Sequence, residues 1–589
     1  MMSWNRWMTR GAMGLALVAI ALTPWVAPGR SAEAATLTVT KTADTNDGTC
    51  GADCSLREAI NTASSGDTVS VPAGTYTLSI AGVAEDAGAT GDLDMLVDLT
   101  IDGAGAGATI IDGGALDNVI QVIGTASLTL DGVTVRNGAG EGVTATSGNV
   151  TALSSSIIDN AGGGINTYGG NVDVTGSTID GNSNTGINTY GGNVSVVGSA
   201  VTDNGDGGIN TYSGNVYVDD SSVSDNGGGG INTYSGDVEV SDSAIESNNG
   251  TGINTSSGEV EVDDSSVSDN LGGGINTSSG NISVDDSNVV DNNGDGINTS
   301  SGNVSLDGSA VSENDGNGVN TSGSDIDAVN STISGNVDTN IQTGTGAIDL
   351  TNVTVADSYD GDGVHNSDGS TTMTNTIVAG HGGESDDCDV AGTIGGGHNL
   401  DSDGSCPFGG AGNISNTDPV LDSLGNNGGP TFTMALLAGS PAIDAGTNSG
   451  CPGTDQRGVS RPVNGTCDMG AYEAGGAPGA TATATSTPTP TGTSAPSEGG
   501  GGSIGGGPRS LLTPTPPQQP TTAPSPAATT ATGTTLGGGA GPGRIGPPDT
   551  GAGPGAGGAR TWWPLIAALA SLGGLAVATG MVTAIRRSR

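Results

Sequence analysis

The stretch Gly208-Ile209-Asn210-Thr211-Tyr212-Ser213-Gly214-Asn215-Val216-Tyr217-Val218-Asp219-Asp220-Ser221-Ser222-Val223-Ser224-Asp225-Asn226 decides the fold, because it recurs. The apolar residue after its first glycine returns as Val143, Ile165, Ile187, Ile209, Ile231, Ile253, Ile275, Ile297, Val319 and Ile341, always 22 residues apart. A fixed period of this size marks a solenoid. Each unit holds three short stretches in which apolar and polar residues alternate, the period of a strand. One is Ile-Asn-Thr-Tyr or Ile-Asn-Thr-Ser, one is like Asn171-Val172-Asp173-Val174, and one is like Ser222-Val223-Ser224. Gly, Asn and Asp separate them, where corners need unusual dihedrals. No stretch is long enough for a helix.

Three strands per 22-residue coil predict an all-β fold, a right-handed parallel β-helix. The hand follows the usual twist of parallel crossovers and analogy. With coils about 4.8 Å apart, the nine regular intervals span roughly 43 Å. Weaker coils are expected at 97–112 and 119–135, and after the array at 364–378. Composition agrees. The 589 residues are 33% hydrophobic but only 3% aromatic, with 108 glycines, a poor basis for a helical or α/β enzyme. Stacking, not large side chains, makes such a core. Val and Ile should fill it, with Thr167, Thr189 and their equivalents on the same side.

Stacking also turns repeated residues into columns. Asn166 to Asn320 form one and Asn160 to Asn336 another, both read as structural ladders of amides. Asp220, Asp242, Asp264 and Asp286 form an acidic column, and Asp219, Asp263, Asp285 and Asp307 nearly form a second. The net charge is −48, and no Lys or Arg lies between Arg136 and Arg457 to neutralise them. Carboxylates at this spacing are candidate Ca²⁺ ligands. The competing reading is a solvated acidic edge. The charge excludes nucleic acid as a partner. Tyr168, Tyr190, Tyr212 and Tyr234 form an outward ladder, read either as a strip for sugar rings or as rings stacked for stability. His365, His381 and His398 fall near Asp386, Asp387 and Asp389, a metal or acid–base grouping set against ordinary loop histidines.

The two ends read as addresses. Residues 1–35 have the pattern of a secretory signal, with Arg6 and Arg10 before an apolar run and Ala32-Glu33-Ala34 at its end. Residues 475–561 are a Pro, Thr and Gly-rich disordered stalk. Within 562–589, the uncharged run 564–585 is long enough for one transmembrane helix, with a basic tail behind it. Before it, Pro547-Pro548-Asp549-Thr550-Gly551 resembles the Leu-Pro-x-Thr-Gly sorting signal, with Pro547 in place of Leu. That resemblance implies a sortase acting between Thr550 and Gly551. These features predict an exported protein, held at the cell surface by membrane or wall.

Two flanks resemble known surface modules. Cys54-Ser55-Leu56-Arg57-Glu58-Ala59 is the motif of the CSLREA domain, within a cap and first coil at 36–95. Ser55 and Glu58 predict a capping box on a short helix that covers the end of the solenoid. The main β-helix is placed at 96–385. Residues 386–474 are read as a C-terminal cap. Asn426-Asn427-Gly428-Gly429-Pro430, Ala438-Gly439-Ser440-Pro441-Ala442-Ile443-Asp444 and Gly470-Ala471-Tyr472-Glu473 resemble the choice-of-anchor Q domain. That resemblance implies surface display and no catalytic residue. The six cysteines fall in local pairs, Cys50 with Cys54, Cys388 with Cys406 and Cys451 with Cys467, read as disulfides with metal ligation as the alternative.

Three functions compete. The first is an adhesin-like rod touching glycans, proteins or surfaces. The second is a polysaccharide lyase or hydrolase; lyases of the pectate type use Arg or Lys beside Ca²⁺, and the regular coils carry neither. The third is an ice binder, which needs an outward Thr column where this one faces inward.

Overall fold

The computed structural model describes residues 34–381 and 385–477. The expected signal, nearly all of the stalk, Thr550, Gly551 and the expected membrane helix lie outside the described residues. Among the described residues no helix is long and apolar enough to cross a membrane.

The described chain winds into a parallel β-solenoid with three sheets. The first, of 16 strands, collects the alternating stretches such as Val216–Asp219; the second, of 14, collects the Ile-Asn-Thr stretches such as Ile209–Thr211; the third, of 15, collects segments such as Ser222–Ser224. Each strand pairs in register with its equivalent in the next coil, as in Ile209 with Ile231, Val216 with Val238 and Ser222 with Ala244. Alternation fixes which side faces in, since a one-residue slip would expose the whole apolar set. Ile165, Ile187, Ile209 and Ile231 are all fully buried, as are Val174, Val196 and Val218. The inward threonines are buried too, and Thr167 satisfies its hydroxyl within its own turn by donating to Gly170 O at 2.8 Å. The solenoid core and the flank expected to cap it are continuous: Val39, Cys54, Leu56 and Ile60 belong to the same apolar cluster as the regular coils.

The corners explain much of the polar sequence. One column of left-handed residues runs through Ser154, Gly176, Gly198, Asp220, Asp242, Asp264, Asp286, Gly308, Asn330, Asn352 and Asn375, with φ between 44° and 62°. Asp, Asn and Gly accept this conformation at least cost. A second column includes Asn137, Asp159, Asp203, Asp225, Asp269, Asp291 and Asp357. The line through Asp220, Asp242, Asp264 and Asp286 is therefore first a consequence of how the chain turns between strands.

The helix Leu56–Thr62 forms with the expected capping box: Glu58 N donates to Ser55 Oγ at 3.2 Å, and Ser55 N to Glu58 Oε2 at 2.8 Å. It packs against the first coils, on strands Asp67–Val71 and Leu93–Met95. Its Arg57 is buried and paired with Asp44 at 2.8 Å. Against the cost of burial, hydrogen bonds from Ser55, Thr45 and Asp47 together with Lys41 hold Glu58 down at about 2.

Two features depart from the sequence reading. The solenoid does not stop at 385 but continues through strands Cys388–Val390, Gly395–Gly397 and Leu400–Asp401. Irregular spacing hides these turns, since Val364 pairs with Cys388 rather than with a residue 22 further on. The segment that follows is also more than an end cap. It runs back along the outer side of the third sheet. Pro430 O accepts from Asn288 Nδ2 at 3.3 Å, Thr431 Oγ1 donates to Gly308 O at 2.6 Å, and Gln456 Oε1 accepts from Thr332 Oγ1 at 2.6 Å. Under it, the strands Thr332–Ser334 and Thr354–Ala356 are buried on both faces. The corner column changes with it: Asn330, Asn352 and Asn375 replace Asp and donate to Thr454 O, Asp468 O and Thr447 O at 3.0, 3.0 and 2.9 Å. A carboxylate there would have no proton to give and would be buried. All three expected disulfides are present.

Candidate functional site

The outward residues of the first sheet form a shallow trough. One part, of about 480 Å³, is lined by residues that include Asp173, Ser195, Tyr217, Asp237, Glu239 and Glu261. A second, of about 300 Å³, shares Glu259 and Glu261 and extends to Asp325 and Asp327. These side chains alternate with the buried valines of their strands, which is why they stack in rows. The row just before the strands was not read from the sequence as a column. In it, Asn171, Asn193 and Asn215 each offer Oδ1 to the backbone N–H one coil further on, at 2.9, 3.0 and 3.0 Å. Burial and the neighbouring Asp349 and Asp325 raise Asp327 above the usual carboxylate range.

The tyrosine ladder faces outward, Tyr168, Tyr190, Tyr212 and Tyr234 being 45 to 66% exposed. Tyr190 and Tyr212 stack with centroids 4.7 Å apart, and Tyr212 and Tyr234 with centroids 4.9 Å apart, the planes within 5° of parallel. Their faces are turned toward each other along the axis. A sugar ring cannot be inserted at that spacing, so the middle of the ladder offers ring edges and phenol hydroxyls, not stacking faces. Of the two readings of the ladder, the stacking of rings on one another is seen among Tyr190, Tyr212 and Tyr234. Tyr234 ends the stack, because Ser256 follows it in the column.

The corner carboxylates Asp220, Asp242, Asp264 and Asp286 lie exposed on one line. Although Asp286 is exposed, partial desolvation of its carboxylate at the corner, then the neighbouring Asp264 and Asp307, push it up to about 6. Asp264, Asp285 and Asp307 are raised as well, burial being the first cause in each. Among the described residues, metal-ligating atoms from three side chains gather within 4.8 Å in two other places: Asp362 with His365 and Asp389, and Asp387 with Asp401 and Asp403. The corner column forms no such group.

The three histidines have separate settings. His365 Nδ1 lies 3.1 Å from Asp389 and 3.6 Å from Asp362. His381 is buried beside Ser358 Oγ at 2.7 Å, and desolvation lowers it to about 4. His398 has a left-handed backbone and its Nδ1 lies 3.1 Å from Ala445 O. Burial also pushes Asp387 up to about 6. Asp362, Asp401 and Asp403 were not picked out from the sequence. The spacing Asp401-x-Asp403 just ahead of Cys406 was the available signal.

Fold and faces together define a right-handed parallel β-helix protein. Residues 118–259 and 212–378 match the family described as right handed beta helix region, which fixes the hand of the solenoid. Among solved structures, the chain is similar to the A-module of mannuronan C-5 epimerase AlgE4 from Azotobacter vinelandii, at 15% identity and a TM-score of 0.30, covering 60% of this chain and 91% of that one. It is similar to pectate lyase Pel9A at 15% identity and a TM-score of 0.25, covering 74% and 96%. It is also similar to the catalytic unit of a GH87 alpha-1,3-glucanase from Streptomyces thermodiastaticus strain HF3-3, at 15% identity and a TM-score of 0.30, covering 63% and 70%. No curated protein matches the chain.

Proposed function

We propose that this chain is an anchored cell-surface rod, adhesin-like in role, whose acidic trough on the first sheet holds an extended glycan or protein without cleaving it. The observation that carries this reading is the trough itself. The same outward positions return every coil from Asp173 to Asp327. A row of carboxylates, amides and hydroxyls that recurs at the coil spacing suits a polymer lying along the axis, held by many weak polar contacts. A catalytic centre needs exceptions to the repeat, and the regular coils bring no basic side chain to this face. Surface display rests on the signal-like start, the stalk, the sorting-like Thr550-Gly551 and the apolar run before the basic tail.

The test incubates the purified chain with acidic and neutral polysaccharides, with and without Ca²⁺, and follows both retention and new reducing ends. Retention without new ends supports the rod. New ends from any substrate replace it with the alternative, a surface-displayed polysaccharide-degrading enzyme. Replacing Glu239 and Glu261 together by Gln should weaken retention if the trough is the contact face.

A further inference from the structure

The last turn of the solenoid holds a carboxylate cluster that the trough does not use. Asp387 precedes the strand Cys388–Val390, Asp401 ends the strand Leu400–Asp401, and Asp403 lies in the turn toward Cys406. The Cys388–Cys406 disulfide ties these two segments together. One carboxylate oxygen of each lies within 4.8 Å of the others. Asp387 is 1% exposed and Asp401 0%.

Two of the three are partly satisfied. Asp387 Oδ2 accepts from Ser402 N at 2.5 Å, Ser402 Oγ at 2.9 Å and Asp403 N at 3.2 Å. Asp403 accepts from Asp387 N at 3.0 Å through Oδ2, and from Ser405 N and Oγ at 2.8 and 2.7 Å through Oδ1. Asp401 is different. Both of its carboxylate oxygens are buried, and among the described residues neither accepts a hydrogen bond. Its backbone, by contrast, is fully engaged: Asp401 N donates to Ile414 O at 3.0 Å and its carbonyl accepts from Thr417 N at 3.0 Å. The side chain is thus held in place with both oxygens unpartnered among the described residues. Among the described residues the only positive candidate in contact is His381, 3.8 Å from Asp387, and burial lowers it to about 4.

We propose that Asp387, Asp401 and Asp403 bind one Ca²⁺ ion that fastens the start of the last coil, ahead of Cys388–Val390, to its end at Leu400–Asp401. A buried carboxylate is tolerated when it is paired or coordinates a metal. The donors are all oxygens, the set preferred by hard cations, whereas zinc and copper favour nitrogen and sulfur. Each of the three supplies a carboxylate oxygen, those of Asp401 having no other partner among the described residues, and exposed Asp403 leaves a side open for water ligands. The site is independent of the rod reading, which stands or falls on the trough.

The test titrates Ca²⁺ into the full chain, stripped of metal with a chelator, at neutral pH and physiological ionic strength. Asp401→Asn and Asp403→Asn are titrated beside it. The wild-type chain should show one tight equivalent above the weak binding of the acidic columns. Both variants should lose it or bind at least about ten-fold more weakly. Reduction of Cys388–Cys406, followed by mass spectrometry, should slow with Ca²⁺ in the wild type alone. Asp403→Asn keeps a side-chain oxygen for Ser405, so it decides the question if Asp401→Asn does not fold. Unchanged affinity in Asp403→Asn overturns the proposal. So does a wild-type chain with no tight equivalent.

Discussion

Asn226 and Asn248, one coil apart and fully buried, are joined twice: the backbone N–H and Nδ2 of Asn226 both donate to Oδ1 of Asn248, at 3.2 and 2.9 Å. Asn248 repeats the arrangement toward Asn270 at 3.1 and 3.0 Å, and its Nδ2 also donates to Val223 O at 3.0 Å. Each amide both caps its own corner and receives the one before. The ladder thus clamps the solenoid along its axis where Gly-rich turns provide little packing.

Asn248→Ala should therefore be among the more damaging single changes in the regular coils. It leaves buried donors on Asn226 without an acceptor, at a cost of about 3–5 kcal/mol. The loss should appear as faster hydrogen exchange centred on residues 226–270, since neighbouring coils carry most of the coupling in a solenoid. Asn249, exposed in the next position, should tolerate Ala within about 0.5 kcal/mol. Equal effects at both positions would remove the ladder from the account of stability.

The acidic corner makes a pH prediction. Asp286 lies at about 6 when folded against an ordinary 3.8, so the folded state holds more protons between those values. Stability should fall as pH rises through that window and level off above it. Asp286→Asn, which keeps a residue suited to φ 44°, should stabilise the neutral-pH protein by about 1 kcal/mol or less, because the site is exposed and screened. The gain should vanish near pH ~4 and shrink in high salt. Asp286→Val, forced into a left-handed backbone, should destabilise by about 1–2 kcal/mol. Thermal unfolding across pH reads all three outcomes.

Tyr212 sits between two rings, so Tyr212→Ser removes two stacking contacts and no core atom. The column already carries Ser256, Ser278 and Ser300 further on. Folding should survive with a loss of about 1–2 kcal/mol, and the near-ultraviolet dichroism of the coupled tyrosines should fall. Retention on polysaccharide should change little if the trough, rather than ring faces, makes the contact.

Gln456 holds the returning segment to the third sheet. Its Nε2 donates to Ser309 O at 3.1 Å, Thr431 Oγ1 at 2.9 Å and Phe432 O at 3.0 Å. Gln456→Ala should cost about 2–4 kcal/mol of local stability. The readout is protease cleavage within 425–475, with the regular coils still protected. If cleavage does not increase, the segment is held by its apolar contacts around Leu436, Ala442 and Met469 instead.

The coil length, the three strands and the inward faces were legible from sequence because each depends on a local, repeated pattern. Period-two alternation sets which side chain points in, and left-handed corners demand Gly, Asn or Asp at fixed positions. Ser55 and Glu58 likewise announced their helix, since a capping box is closed within four residues. Tertiary structure alone decided where unlike segments meet. Asn288 contacts Phe432, and Asn352 contacts Asp468, across more than a hundred residues with no repeat to mark the register. Asp387, Asp401 and Asp403 come together only because irregular final turns and a disulfide place them side by side. The tyrosines show the same division: sequence gives the side a ring lies on, while the 4.7 Å spacing between Tyr190 and Tyr212 decides which way its face can turn.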